Sequence, residues 1–409
     1  MTKLELMAPA GSFAAMQAAI DNGADSVYFG VEQLNMRARA TMNFGIEDLP
    51  EVVERCGTKG IKTYITLNTI MYDHDIRLYK RIIEAAAEAG ITAVIASDQG
   101  VMLHAKKVGL PVHISTQLNV TNIETVEFYA PYADVMVLSR ELTLTQVKKI
   151  VDAVERNEVR GPSGELVRIE VFAHGALCMA VSGKCYLSLH SNNASANRGA
   201  CVQNCRRSYT VTDDEGNELK IDNEYIMSPK DLCTIGFLDK IRDAGIGVLK
   251  IEGRGKSAEY VATTTRCYRE AIDALAEGTY TPEKVAAWTD ELLKVFNRGF
   301  WDGYYLGQKL GEWTRSSGSS ATRTKKFIGR GANYFAKPGV AEFTVEAASF
   351  SRGDTLLITG QTTGVIELVV DEVRVNGEVA PAAVRGQTVT FAVPDRIRRN
   401  DRLYRLDDA

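Results

Sequence analysis

The sequence predicts an α/β protein: a (β/α)8 TIM-like barrel with a cysteine-rich insertion after strand seven, then a small C-terminal antiparallel β-barrel. Three observations predict it. Eight short, β-branched apolar runs alternate with amphipathic stretches across residues 1–280. One segment between two of those runs is far longer than an ordinary barrel loop, and beyond a serine-rich stretch the pattern changes to short strands separated by Gly and Asp turns.

The eight runs lie at 4–7, 26–29, 62–67, 93–96, 112–115, 135–138, 169–172 and 248–251. Between them the helical period is plain. In residues 75–89, Ile76, Tyr79, Ile82, Ile83 and Ala86 recur at helical spacing and stop at Gly90, a natural C-cap. Eight such repeats indicate a barrel rather than a doubly wound sheet, and the first loop, APAGS, lacks the GxGxxG dinucleotide fingerprint. The expected division is a catalytic barrel over 1–280 with its insertion at 174–246, a helical connector and Ser-rich linker over 281–323, and the small β-barrel over 324–409. The linker stretch 314–324 reads as a hinge.

Composition narrows the function. The 409 residues carry a formal net charge of −4, which argues against a surface coated for bulk nucleic-acid binding. Any RNA contact must be local, and the arginines Arg396, Arg398, Arg399, Arg402 and Arg405 are the candidate patch. No run approaches the ~18 apolar residues of a membrane span, and the N-terminus has no basic region followed by an apolar one. A cytoplasmic location is expected.

Five of the seven cysteines fall in the insertion: Cys178, Cys185, Cys201, Cys205 and Cys233. Clustered thiolates can hold zinc, a 4Fe-4S cluster or disulfides, and in a reducing compartment metal ligation is favoured. Cys56 and Cys267 lie in predicted helices and read as packing residues.

Chemistry in this fold sits just past the C-terminal strand ends. Those positions present Asn68, Ser97, Asp98, Thr116, Gln117, Ser139, Arg140, Glu141, His174, Glu252 and Arg254. Ser97, Asp98 and Ser139 are equally well explained as helix caps. Arg140, His174 and Arg254 are not, and several arginines at one mouth point to an anionic ligand. Arg37 and Arg39, in the loop 36–44, face the same side. No HExxH or GxSxG motif occurs.

The segment EVFAHGALCMAVSGKCYLS (170–188) closely resembles the signature of the peptidase family of unassigned catalytic type numbered thirty-two, the collagenase-like proteases. LSRELT (138–143), NRGACVQNCR (197–206), KIEGRGKS (250–257) and NRGF (297–300) extend the resemblance over essentially the whole chain. That family includes oxygen-independent hydroxylation proteins acting on tRNA, rRNA and ubiquinone precursors. The length is most similar to the tRNA group, so the resemblance implies hydroxylation of a wobble uridine to 5-hydroxyuridine, with the anticodon loop as partner, prephenate as cosubstrate and a 4Fe-4S cluster as cofactor. By motif it implies Cys178, Cys185, Cys201 and Cys205 as cluster ligands, with Cys233 as the alternative fourth. Their places at the barrel mouth make His174, Arg140, Glu252 and Arg254 the candidate catalytic residues for that chemistry, and Arg37, Arg39, Asn68, Gln117 and Lys250 the candidate substrate-binding ones. Tyr186, Phe44 and Tyr209 are candidates for stacking an unpaired base. The other readings are a collagenase-like endopeptidase, a related rRNA or ubiquinone-pathway hydroxylation protein, and a non-catalytic zinc-stabilised RNA-binding protein.

Overall fold

A ring of eight parallel strands forms the body of the molecule, seen here in a computed structural model that describes residues 4–39, 43–216, 218–219, 225–307, 311–315 and 318–409. Strands β1 (Glu5–Pro9), β2 (Ser26–Gly30), β3 (Lys62–Leu67), β4 (Ala93–Ala96), β5 (Val112–Ile114), β6 (Val135–Val137) and β7 (Arg168–Gly175) pair in sequence order. A two-stranded hairpin, β8 (Val211–Thr212) and β9 (Glu218–Leu219), and then β10 (Asp231–Cys233) belong to the long insertion. The eighth barrel strand, β11 (Val248–Ile251), pairs in parallel with both β1 and β7 and so closes the ring.

The helices are α1 (Phe13–Asp21), α2 (Leu49–Gly57), α3 (Ile76–Ala89), α4 (Gln99–Val108), α5 (Ile123–Tyr129), α6 (Leu144–Arg156), α7 (Leu187–Asn192), α8 (Leu238–Asp243), α9 (Ala258–Glu277) and α10 (Pro282–Leu293). Most lie against the ring, whereas α7 lies in the insertion. Helix α3 ends at Gly90 with φ +83, because the left-handed cap carries no side-chain penalty there. Asp98 caps α4, its carboxylate accepting from the amides of Gly100 (2.8 Å) and Val101 (3.3 Å), so the cap explanation holds for that rim residue. Cys56 and Cys267 are fully buried packing residues, as expected.

The N-terminal end of the barrel is tied by charge. Glu5 accepts from Ser26 (2.9 Å), Tyr64 (2.8 Å), Lys62 (2.8 Å) and Arg168 (2.9 Å). Burial alone would raise the pKa of its carboxyl, but the bonds and the two cations outweigh it and hold the value at about 2.

After β7 the ring is extended sideways. Strand β10 runs antiparallel to the end of β7, pairing Cys233 with His174. Strand β12 (Phe300–Trp301) then pairs with β10, bringing residues from beyond α10 to the barrel mouth.

The C-terminal region corrects one expectation. Strands β13 (Arg323–Phe335), β14 (Val340–Val345), β15 (Phe350–Ser351), β16 (Thr355–Gly360), β17 (Gly364–Val369), β18 (Val373–Val375), β19 (Glu378–Ala380), β20 (Ala382–Ala383), β21 (Thr388–Ala392) and β22 (Arg402–Asp408) do not make a β-barrel. Eight of them form a sheet in the order β17-β16-β22-β13-β14-β21-β18-β19, and among the described residues its end strands β17 and β19 do not pair with each other. The edge is occupied instead. Strand β17 packs on α1, where Gly364 (φ +66) lies so close that a Cβ would sit 2.8 Å from the Asp21 carboxylate. An edge covered by a helix needs no closure. Phe343 and Phe391 stack at 5.2 Å inside the sheet's own core. The linker is bonded to the helical connector, Thr322 N–H donating to the Leu293 carbonyl at 2.9 Å; residues 316–317 of it, like 40–42 of the loop 36–44, lie outside the described residues.

Candidate functional site

The C-terminal ends of the strands converge as the barrel geometry requires. One cavity is walled by Arg37, Asn68, Gln117, Arg140, Lys250, Glu252 and Arg254, together with Tyr28, Phe172 and Cys178. Backbone connections explain the convergence. Glu252 N–H donates to the His174 carbonyl at 2.8 Å, which locks the turn after β11 onto the end of β7. Gly175 sits at that crossing with φ +102, and a Cβ there would lie 2.5 Å from the Glu252 carbonyl oxygen. Gly175→Ala is therefore expected to destabilise the protein by about 1–3 kcal/mol and to displace Glu252, as urea unfolding and ligand titration will register.

Asn35, fully buried, is the hinge of the cationic wall. Its Oδ1 accepts from Arg254 Nη1 at 3.1 Å and from the Arg37 amide at 3.0 Å. Arg254 Nη1 also donates to Thr66 Oγ1 at 2.7 Å. Arg37 donates to Glu252 Oε1 at 2.7 Å and 3.2 Å through two guanidinium nitrogens. Arg140 stacks on Phe172 at 3.7 Å and donates to the Ala176 carbonyl at 2.9 Å. Lys250 donates to the fully buried Glu170 at 2.9 Å, beneath the cavity. Asn68 links to Ser115 (3.2 Å) and Gln117 (3.3 Å).

The electrostatics follow from this packing. Burial would raise the Glu252 carboxyl, yet Arg37, Arg140 and Arg254 outweigh it and hold its pKa at about 2. Burial likewise pulls Arg254 below its ordinary range and raises Glu170. Four cations on the wall against Glu252, with Glu170 beneath, leave an excess of two positive charges even with both carboxylates ionised. The Nε atoms of Arg140 and Arg254 are buried with no hydrogen-bond partner among the described residues. Such a site suits a small dianion.

Two sequence-derived candidates stand apart from this wall. His174 is buried among the rings of Tyr260, Tyr268 and Phe300, with Nδ1 3.4 Å from the Tyr268 hydroxyl, and burial lowers its pKa to about 3. Arg39 is exposed, and its amide reaches toward the Gly199 carbonyl. Of the proposed stacking residues, Phe44 is core, packed on Phe13 and Phe29, Tyr209 bonds to the Asn204 carbonyl at 2.7 Å, and Tyr186 is exposed.

A second, larger cavity of about 840 Å³ opens beside the first and shares Arg37, Cys178 and Glu252 with it. Cys178, Cys185, Cys201 and Cys205 all line it. The expectation of a 4Fe-4S cluster or other bound metal on these cysteines is nevertheless overturned: among the described residues no three His, Cys, Asp or Glu side chains are placed to hold a metal ion. Cys178 is exposed, Cys201 faces the Ser188 hydroxyl at 4.0 Å, and burial raises the Cys205 thiol. Cys233, the alternative fourth ligand, lies on β10 with its sulfur 3.9 Å from the Tyr268 hydroxyl, and burial pushes its thiol up to about 11.

Sequence reasoning missed Lys256, although it stands two residues beyond Arg254 in the same motif. It lines the larger cavity with Nζ 2.9 Å from the Phe296 ring centre, and burial, with Arg298 nearby, lowers its pKa to about 7. Asn35 was missed too, because nothing local marks a loop amide as the common anchor of two arginines.

No described helix is long and apolar enough to cross a membrane. Comparison with known proteins gives a divided set of names. A Porphyromonas gingivalis protein named collagenase is 55% identical over 404 residues, covering 98% of both chains. The Bacillus subtilis tRNA hydroxylation protein P1 is 33% identical, over 81% of this chain and 78% of its own, and the Escherichia coli tRNA hydroxylation protein P is 30% identical, over 98% and 96%. Residues 11–315 match peptidase family U32, and together with these relatives that match makes the chain a member of peptidase family U32.

Proposed function

We propose that this chain is an RNA-modifying enzyme that hydroxylates a tRNA uridine, with the arginine-walled cavity holding a small dicarboxylate of the prephenate class. One observation carries the reading: Arg140 and Arg254 each keep a buried, unpartnered Nε at a barrel mouth with excess positive charge. Arg37, Lys250 and Asn68 would complete the cradle, and Glu252 would orient Arg37. The anion would then lie where the larger cavity can admit an unpaired nucleotide from an anticodon loop.

Identity favours a second reading, a collagenase-like endopeptidase, since the full-length relative at 55% bears that name whereas the tRNA hydroxylation relatives stand near one third. The chemistry of the wall favours the first. Among the described residues no histidine lines either cavity, and Glu252, its pKa held at about 2 by its arginines, is a weak proton acceptor; Lys256, lowered to about 7 on the larger cavity, is the group that would serve a peptidase as base. Nucleoside mass spectrometry on tRNA from a strain lacking this chain and its relatives, beside gelatin cleavage by the purified protein, separates the two. Expected is loss of 5-hydroxyuridine derivatives, restored by the wild-type chain. Unchanged nucleosides with gelatin hydrolysis would establish the peptidase.

A further inference from the structure

A third cavity, of about 120 Å³, shares Arg140, Cys178 and Ser182 with the dicarboxylate cradle. Its walls are aromatic: Trp301, Tyr304 and Trp313, with Leu177 and Met179 beside them and Glu141 at the rim. Strand β12 places Trp301 there by pairing Leu232 with it, and the preceding Phe300 points the other way, onto His174. Trp313 is fixed by a bridge to Pro229, and Gly311 lies against its ring, where a Cβ would be 3.5 Å away. Trp301 and Tyr304 meet edge to face at 5.4 Å.

The telling atom is the indole nitrogen of Trp301. The residue is only 6% exposed, and its Nε1 is buried with no hydrogen-bond partner among the described residues. An indole N–H is a donor only, and leaving one unpaired inside a protein is costly. A rigid aromatic slot with a lone buried donor suits a flat, apolar-faced ligand that carries a carbonyl oxygen. The shared Arg140 places that ligand next to the bound anion and supplies positive charge for a phosphate.

We infer that this cleft is a pyrimidine pocket, in which an extruded uracil lies against the rings of Trp301, Tyr304 and Trp313 and accepts a hydrogen bond from Trp301 Nε1. The inference rests on the RNA-modification reading and specifies how that site selects its base: the larger cavity admits the nucleotide, and this cleft, which shares Leu177, Cys178 and Met179 with it, receives the base. Uracil presents carbonyl oxygens at both ring positions flanking N3–H, whereas cytosine presents an amino group at one of them, so a donor at that position favours uracil. Base stacking on aromatic side chains tolerates any sequence, and the discrimination comes from the single N–H.

The test uses the full chain and intrinsic tryptophan fluorescence, with oligouridylate, oligocytidylate of equal length and a proline-rich peptide as probes. Wild type is expected to bind oligouridylate more tightly than oligocytidylate. Trp301→Phe, which keeps a ring and removes the N–H, should lower that preference by about 10-fold while leaving oligocytidylate binding intact. Trp313→Ala should weaken both oligonucleotides by about 10- to 100-fold. Photocross-linking of wild type with a 4-thiouridine oligonucleotide does not depend on a variant folding, and the adduct is expected on peptides containing Trp301 or Trp313. RNA binding that is unchanged in both variants, or an adduct elsewhere, would overturn the pocket and leave the RNA reading standing. Tight binding of the proline-rich peptide without RNA binding would overturn both.

Discussion

Arg254→Ala is expected to lower affinity for a small dicarboxylate by about 10²- to 10⁴-fold while leaving a folded protein. The guanidinium is only 5% exposed, is held by Asn35 and Thr66, and still has an unpartnered buried Nε. A hydrogen bond to a charged group contributes about 1.5–3 kcal/mol, and a forked contact with a carboxylate supplies two. Arg254→Lys keeps the charge and loses the fork, since one ammonium cannot satisfy Asn35, Thr66 and a carboxylate together. Its loss should be intermediate, near 10-fold. Calorimetric titration with prephenate, beside thermal unfolding of each variant, measures both effects, and equal affinities across the three proteins would exclude Arg254 from the ligand's contacts.

Glu252→Gln should cost stability rather than binding geometry alone. The carboxylate lies among Arg37, Arg140 and Arg254, and removing its charge leaves those cations facing one another. Breaking a fully buried pair from one side costs about 3–5 kcal/mol, and because Arg37 and Glu252 keep 24% and 14% of their side-chain surface exposed, urea unfolding at neutral pH should show a smaller loss, about 1–3 kcal/mol. A bound dicarboxylate should restore part of it by supplying the missing negative charge.

The pH dependence has a definite sign. The folded pKa of Glu252 is about 2 against an ordinary 4.5, so its contribution is fully present above pH 4.5 and disappears as pH falls toward 2. That window is worth on the order of 3 kcal/mol. Glu5 shares the same window through Lys62 and Arg168, so the glutamine variant should keep part of the acid limb rather than lose it entirely.

The barrel was legible because its strands are buried along their length and read as unbroken apolar runs bounded by Gly and polar turns. Arg140, Glu252 and Arg254 were legible for a related reason: once the strands are placed, the residues just past their ends must face the mouth. The C-terminal sheet was misread because alternation marks a strand but says nothing of closure. Its longest strand, β13, also begins inside the Ser- and Gly-marked stretch 314–324 that reads as linker. His174 also follows the strand expected at 169–172, yet β7 continues through it to Gly175, and β10 pairs across it and turns the imidazole into an aromatic box. That pairing partner arrives from some 60 residues later, beyond the reach of any local pattern. The cysteines show the same limit. Their proximity in the chain predicted proximity in space, and four of the five do line one cavity, but spacing does not fix the mutual geometry a metal needs, and among the described residues no such group is formed.

The most direct measurement of the central claim is equilibrium binding of prephenate to the purified wild-type chain, with a neutral diester analogue as control. Saturable binding of prephenate, absent for the diester, weakened by moderate salt and lost in Arg254→Ala, is the predicted result. Failure of prephenate to bind, or equal binding of the diester, would contradict the assignment of the arginine-walled cavity to a dicarboxylate.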